Sequence, residues 1–309
     1  MKKDGTSGSR KTRREFIRNQ MLPGMGALFV GPAVLTTGCS GLSRSAEGGG
    51  SGQEPIIDIH QHTNYHGRSD EDPLAHQSQM GITTTIMLPA GRPVDRASTY
   101  NGASNGLGGV QAGGNEYCYR FALDHPDEYL FAANEVPDLP DATEEIEKYL
   151  KLGAKMIAEQ KFGVECDSPE MQKLYQLAAA YDVPILLHFQ HGRYNRGFER
   201  FHKMLEKYSR VNFIGHAQTW WANIDGGHED QSNLYPSGSV STGGITDRLL
   251  SDYPNMYGDL SAGSGLNALT RDEEFTTGFF DRHQDKLLYG SDCADATGLS
   301  EDCQGVGTI

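Results

Sequence analysis

The stretch Pro55-Ile56-Ile57-Asp58-Ile59-His60-Gln61-His62 is the part of this chain that decides its fold. Its apolar residues predict a buried β-strand. Side chains on a strand repeat every second residue, so the imidazoles of His60 and His62 project from one face. Two such histidines can form a polar strand surface, or they can direct two nitrogen donors at one metal ion. The residue types at the ends of the later strands distinguish these interpretations.

Strand-like apolar runs alternate with helical patterns from residue 55 onward, which is typical of βα units. We predict eight strands, near residues 55–60, 82–88, 128–134, 154–159, 183–188, 211–216, 255–260 and 286–291. The clearest helix is predicted over 168–181, with Ser168 as N-cap and Pro169 at its first position. Other helices are predicted near residues 69–80, 115–125, 142–152, 196–208, 243–251 and 271–283.

Eight strands with interleaved helices predict an α/β protein, a (β/α)8 TIM barrel, whose typical length is about 250 residues. An open doubly wound sheet is the alternative, but no Gly-x-Gly-x-x-Gly turn follows the first strand to support a dinucleotide site. Gly-rich, polar sequence follows the eighth strand, so we expect the barrel to lack its last helix in this chain. Truncation of a longer protein is the favoured reason, because an uncovered strand would expose apolar surface.

The first 39 residues are predicted to be an export signal. Arg13 and Arg14, within Thr12-Arg13-Arg14-Glu15-Phe16, are typical of a twin-arginine signal, and a broken apolar stretch follows them. Leu35-Thr36-Thr37-Gly38-Cys39 resembles a lipoprotein cleavage box, so Cys39 is either lipidated or part of a secreted protein's leader. Residues 40–54 are predicted to be a flexible linker, which leaves 55–309 as the barrel. We therefore expect a periplasmic or lipid-anchored envelope protein of a bacterium.

Charge and cysteine content restrict the partners. Without residues 1–38 the chain has 20 basic and 39 acidic residues, a net charge of −19, which argues against nucleic acid and anionic membrane surfaces as partners. Membrane attachment is expected only through lipidation of Cys39, and the expected ligand is a small-molecule substrate. Cys293 and Cys303 flank one short loop and could pair in an oxidising compartment, although reduced, buried thiols are the alternative.

Metal-ligand residue types end five of the predicted strands. They are His60 and His62 on the first, Glu159 on the fourth, His188 on the fifth, His216 on the sixth and Asp292 after the eighth. The carboxyl ends of barrel strands meet at the face where active sites of this architecture lie. Buried ionisable groups cost free energy unless they are paired or bind a metal, so this clustering favours a metal site.

The motifs Asp58-Ile59-His60-Gln61-His62, His188, His216 and Gly290-Ser291-Asp292 resemble the amidohydrolase superfamily, in particular its amidohydrolase-related branch of metal-dependent TIM-barrel enzymes. The resemblance implies that His60, His62 and Asp292 hold a first divalent metal, while His188 completes that site or joins His216 in a second. Glu159 stands where two-metal members carry a bridging carboxylated lysine or glutamate. In one-metal members the histidine at the position of His216 is an acid/base or substrate-polarising group.

The resemblance implies a hydrolase in which metal-activated water cleaves a C–N or C–O bond of an amide, lactone or ester, with Asp292 taking the proton. Mixed nitrogen and oxygen ligands suit Zn²⁺ best, with Mn²⁺ or Fe²⁺ as alternatives, in one or two ions. A non-oxidative decarboxylase on the same metal site is one alternative function, and Arg193 is its nearest hint. A non-catalytic, exported binding barrel is the other.

Overall fold

The computed structural model describes residues 54–99, 107, 110–298 and 303. The predicted export signal with Cys39, and nearly all of the predicted linker, lie outside the described residues. All eight predicted strands are present. They are β1 (Ile57–Gln61), β2 (Thr84–Met87), β3 (Tyr129–Phe131), β4 (Ile157–Gln160), β5 (Ile185–His188), β6 (Phe213–His216), β7 (Met256–Asp259) and β8 (Leu287–Leu288).

The strands pair in parallel and in chain order. β1, β2 and β3 form one sheet, and β4 to β8 form the other. Backbone hydrogen bonds join the sheets at both edges. Ala133 N donates to Met156 O (2.9 Å) between β3 and β4, and Ile59 N donates to Tyr289 O (3.0 Å) between β8 and β1. This joining of the first strand to the last is the arrangement of a (β/α)8 barrel, as predicted, and not of a doubly wound sheet.

Successive side chains on a strand point to opposite faces of the sheet. The apolar strand residues therefore fall into two clusters, one inside the barrel and one outside it. Leu186 of β5 lies in the inner cluster, whereas its neighbours Ile185 and Leu187 lie in the outer cluster shared with the helices. The inner cluster draws on all eight strand segments. Its buried members are Ile59, Ile86, Leu88, Ala132, Met156, Ala158, Leu186, Ile214, Tyr257 and Leu288. This packed layer is the floor beneath the carboxyl ends of the strands.

Nine α-helices connect the strands of the described part of the chain. They are α1 (Glu71–Met80), α2 (Asn115–Asp124), α3 (Ala142–Lys151), α4 (Pro169–Tyr181), α5 (His202–Lys207), α6 (Gln218–Ala222), α7 (Ile245–Asp252), α8 (Ala262–Thr270) and α9 (Glu273–His283). The hydroxyl of Ser168 accepts a hydrogen bond from Met171 N at the start of α4, as the predicted N-cap requires. No helix in the described residues is long and apolar enough to cross a membrane.

One helix prediction is wrong in extent and two helices were not predicted. The helix expected over 196–208 begins later, because Gly197 is left-handed with a φ of 89°, and it consists of a 3-10 turn (Phe198–Arg200) followed by α5. The short α6 and α8 lie within stretches that the sequence pattern left as loop. The other predicted helices are confirmed.

The cysteines at the carboxyl end of the barrel are joined. Cys293 and Cys303 form a disulfide with a Cα–Cα distance of 5.2 Å, whereas Cys118 and Cys166 are free and buried. The disulfide closes the segment that begins immediately after Asp292. No α-helix follows β8 in the described residues, and the segment is held to the barrel at the Cys293 carbonyl, which accepts from Gln61 Nε2 (2.9 Å) and Arg68 Nη1 (2.8 Å).

Candidate metal centre

Extra residues in two strands turn ligand side chains into the barrel. Between Asp58 and Gln61 of β1 the pairing gains one residue over β2, and between Ile157 and Gln160 β4 gains one over β5. A β-bulge of this kind re-aims the side chains that follow it. Ile59 lies in the inner cluster, yet the next residue, His60, faces the same interior space. Glu159 likewise faces the interior although its neighbour Ala158 lies in the inner cluster.

The two histidines of the opening motif converge. His60 Nε2 and His62 Nε2 are 3.2 Å apart, and both side chains are fully buried. His62 Nδ1 donates to the carbonyl oxygen of Leu88 (2.8 Å), and His60 Nδ1 donates to Asp259 Oδ2 (2.7 Å). The carbonyl and the carboxylate can only accept, so each Nδ1 carries a proton. When either ring is neutral, its Nε2 therefore has the lone pair that can bind a metal ion.

Two carboxylates complete this group. Glu159 Oε2 lies 3.7 Å from the Nε2 atoms of both His60 and His62, and Asp292 Oδ1 lies 3.6 Å from both. A tetrahedral ion with ligand bonds of about 2.1 Å separates its ligand atoms by about 3.4 Å. The Nε2 atoms of His60 and His62 and the carboxylate of Asp292 therefore have the chemistry and the spacing of three ligands of one divalent cation, and Glu159 Oε2 faces the same two nitrogens.

The electrostatics of this group favour a positive charge at its centre. Burial opposes a charge on His60, but the carboxylates of Asp292 and Asp259 outweigh it and raise the pKa of His60 well above its ordinary value. Burial lowers the pKa of His62 to about 4, so that ring is neutral at pH 7. In the metal-free protein, a proton on His60 supplies the charge that a divalent cation would supply.

A second group of ligand atoms shares Glu159 with the first. His188 Nδ1 donates to Glu159 Oε1 (2.6 Å), and His216 Nε2 lies 3.6 Å from the same oxygen. The other nitrogen of His188, Nε2, is buried without a hydrogen-bond partner among the described residues. Each oxygen of Glu159 therefore faces a different set of imidazoles, and the orphaned nitrogen of His188 is a further donor available to a metal ion.

Asp259 contacts a histidine of each group at its Nδ1 atom. Its Oδ2 accepts from His60 Nδ1 and lies 3.2 Å from His216 Nδ1, while Ser261 Oγ donates to the same oxygen (2.8 Å). Carboxylates in this position fix the tautomer and the orientation of ligand histidines. The sequence placed Asp259 at the end of a strand but gave no sign that it touches two of the predicted site residues.

The six predicted site residues are brought together, and they are all buried or nearly so. They are His60, His62, Glu159, His188, His216 and Asp292. From the sequence, Asp259 at the end of its strand either lines the pocket or caps a neighbouring turn; Ser261 and Tyr65, whose hydroxyl contacts Asp292, were not predicted. The contacts of Asp259 with His60 and His216, and of Tyr65 with Asp292, join residues from different strand ends, so no local pattern could have indicated them. Arg193 lies on the exposed loop after β5.

Comparisons with known proteins support the fold. No protein-family model matches the chain, and no curated protein matches it. An uncharacterised TIM-barrel protein from Bordetella bronchiseptica is similar over 82% of this chain and 91% of its own, at 12% identity and a TM-score of 0.53. This likeness agrees with the barrel topology described above.

Two further solved structures are similar at lower scores. A dihydroxybenzoic acid decarboxylase from Polaromonas, solved with bound manganese and an inhibitor, matches at 14% identity and a TM-score of 0.47, covering 82% of this chain and 95% of its own. A probable 2-pyrone-4,6-dicarboxylic acid hydrolase from Acinetobacter baumannii matches at 12% identity and a TM-score of 0.48, covering 82% and 90%. At such identities the likeness concerns the fold alone.

Proposed function

We propose that this chain is a metal-dependent hydrolase of the amidohydrolase superfamily that cleaves a C–N or C–O bond of a small molecule. The observation that carries the proposal is the convergence of His60 Nε2, His62 Nε2 and Asp292 Oδ1 at the spacing of ligands around one ion, with Glu159 Oε2 3.7 Å from both nitrogens. A binding module has no need of such a buried donor set, since the cost of burying it is recovered only when a cation is bound.

The residues divide between holding a metal and moving a proton. His60, His62 and Asp292 would hold a first divalent ion, and Glu159, His188 and His216 would hold a second. A bound ion would lower the pKa of water to about 7 and so make hydroxide available at neutral pH. Asp292, whose Oδ2 lies 3.8 Å from His216 Nε2, would accept a proton from water. If only the first ion is bound, His216 would instead polarise the substrate carbonyl.

A non-oxidative decarboxylase on the same donor set is the second candidate. The observation in its favour is Lys161, half-buried just beyond β4 with its ammonium 5.9 Å from the ring centre of Tyr194. Burial alone would raise the pKa of Glu159, but Lys161 and His188 outweigh it and hold that pKa well below its usual range. A cation so close to the donor set could bind a substrate carboxylate.

The metal and the cellular location are parts of the same proposal. Mixed imidazole and carboxylate ligands suit Zn²⁺, and Mn²⁺ or Fe²⁺ would also be accepted by this set. The twin-arginine pattern supports export to the periplasm, with lipidation of Cys39 as the proposed anchor if the protein is held at the envelope.

Metal analysis of the full chain, purified without chelators, tests the proposal. We expect two equivalents of divalent metal in the wild type and fewer in Glu159→Gln, with hydrolysis of compounds in an amide, lactone and ester panel. His60→Ala should lose metal and activity, whereas the matched control His202→Ala, at the start of α5 and away from the site, should keep both.

The remaining outcomes separate the candidates. One equivalent of metal with CO2 release from small carboxylic acids, and no hydrolysis, would establish the decarboxylase instead. A folded chain that takes up no Zn²⁺, Mn²⁺ or Fe²⁺ on reconstitution would overturn both enzyme proposals and leave the binding barrel.

A further inference from the structure

The segment that follows the paired histidines has an unusual backbone. Asn64 (φ 49°) and His66 (φ 53°) are both left-handed, a conformation that L side chains rarely adopt outside glycine. Tyr65 lies between them. Residues in this conformation persist where the surrounding contacts determine it, and they occur preferentially at functional sites.

Contacts at both ends of this segment hold it in place. The guanidinium of Arg68 donates from Nη2 to His62 O (2.6 Å) and from Nη1 to Cys293 O (2.8 Å). His66 N donates to Gln111 O (3.0 Å). The segment after β1 is therefore tied to the segment after β8, in which Cys293 directly follows Asp292.

Tyr65, in this segment, contacts both His62 and Asp292. Its ring packs against the imidazole of His62, with centroids 4.7 Å apart, and its hydroxyl donates to Asp292 Oδ1 (3.0 Å). This is the same oxygen that lies 3.6 Å from His60 Nε2 and from His62 Nε2. Asp292 is itself left-handed (φ 47°), and its backbone N donates to His60 O (2.8 Å).

We propose that Tyr65 is a positioning residue that fixes the carboxylate of Asp292 for metal binding. The inference rests on the proposed metal site and adds a residue to it. With Oδ1 held by the phenol and the backbone held by His60, the carboxylate keeps one oxygen towards the paired histidines and the other towards His216. Without the phenol, the carboxylate would be free to rotate about its last bond.

Cobalt binding to the full chain tests this role. The variant is Tyr65→Phe, which keeps the ring against His62, and the matched control is Tyr289→Phe, which removes a buried hydroxyl that has no hydrogen-bond partner among the described residues. The measurements are the Co²⁺ affinity by chelator competition, the visible absorption of the Co²⁺-loaded protein, and the melting temperature of the metal-free protein.

We expect Tyr65→Phe to weaken Co²⁺ binding by about 10- to 100-fold, the usual effect of removing a hydrogen bond to a metal ligand, and to shift the visible bands. Tyr289→Phe should match the wild type in both. Wild-type affinity and an unchanged spectrum in Tyr65→Phe would overturn the inference. A loss of metal-free stability with no shift of the visible bands would also overturn it, because Tyr65 would then support the fold without orienting the carboxylate. A wild type that binds no Co²⁺ would instead refute the metal site itself.

Discussion

At the scale of single residues, the partners of the Nδ1 atoms decide what the two histidines can do. His62 Nδ1 donates a hydrogen bond to a carbonyl oxygen and His60 Nδ1 donates one to a carboxylate. Both Nε2 atoms therefore face one point. Their i, i+2 spacing predicted a shared face, and the structure confirms it. The spacing could not reveal that Asp259 serves both His60 and His216, because these residues come from strands far apart in the sequence.

The buried, neutral histidines predict how stability depends on pH. Burial lowers the pKa of His188 to about 4, whereas its unfolded value is about 6.5. The unfolded chain therefore binds protons first, and the free energy of unfolding of the metal-free protein should fall as the pH drops from about 6.5 to 4, by up to about 3 kcal/mol for this residue. Equilibrium urea unfolding across that range measures it.

The matched comparison isolates His188 from other titrating groups. Burial raises the pKa of Asp58 to about 6, which acts in the opposite direction over the same range, but equally in every variant. His188→Gln should show a shallower loss of stability with acid than the wild type, and His202→Gln, which changes a histidine outside the site, should not. Equal pH slopes in all three proteins would contradict the assignment.

At the scale of elements, the alternation of strands and helices predicted the barrel because it spans many residues and depends on no single contact. The bulges in β1 and β4 were not predictable, since each is only visible as a register difference from its neighbour. Strict alternation would place Ala158 and Glu159 on opposite faces. The structure brings Glu159 to the donor set, although Ala158 belongs to the inner cluster.

Gly290, two residues after β8, lies where no larger side chain fits. A Cβ on Gly290 would lie 2.4 Å from Asp259 Oδ1 and 2.9 Å from the Cβ of His60. We therefore expect Gly290→Ala to displace both residues, to cost about 1–3 kcal/mol of stability through overpacking, and to weaken metal binding. Urea unfolding and Zn²⁺ titration measure the two effects.

Gly263 provides the control for this substitution. A Cβ there, in α8, would meet nothing within 4 Å. Gly263→Ala should therefore leave metal binding unchanged and stabilise the helix by up to about 1 kcal/mol. If Gly290→Ala bound Zn²⁺ as tightly as Gly263→Ala, the close packing of Gly290 against Asp259 and His60 would not matter to the site.

At the scale of the whole molecule, the donor set connects the two sheets. His60 and His62 come from β1 and the residue after it, in the three-stranded sheet, whereas Glu159, His188 and His216 come from the five-stranded sheet. Asp292 follows β8, which is hydrogen-bonded to β1 through Ile59 and Tyr289. The site therefore exists only when the barrel is closed, and the unfolded chain has no equivalent of it.

Metal binding should stabilise the whole barrel for this reason. A ligand that binds only the folded state raises the free energy of unfolding by about 2.7 kcal/mol at a free concentration 100 times its Kd. In a domain of this size, each kcal/mol raises the melting temperature by about 2–4 °C. We expect Mn²⁺ or Zn²⁺ to raise the melting temperature of the full chain by several degrees at a fixed scan rate, and EDTA to reverse it. His60→Ala should show a smaller rise, because it removes a ligand of the first ion and leaves the group of Glu159, His188 and His216 in place. A rise equal to that of the wild type would mean that His60 holds no stabilising ion.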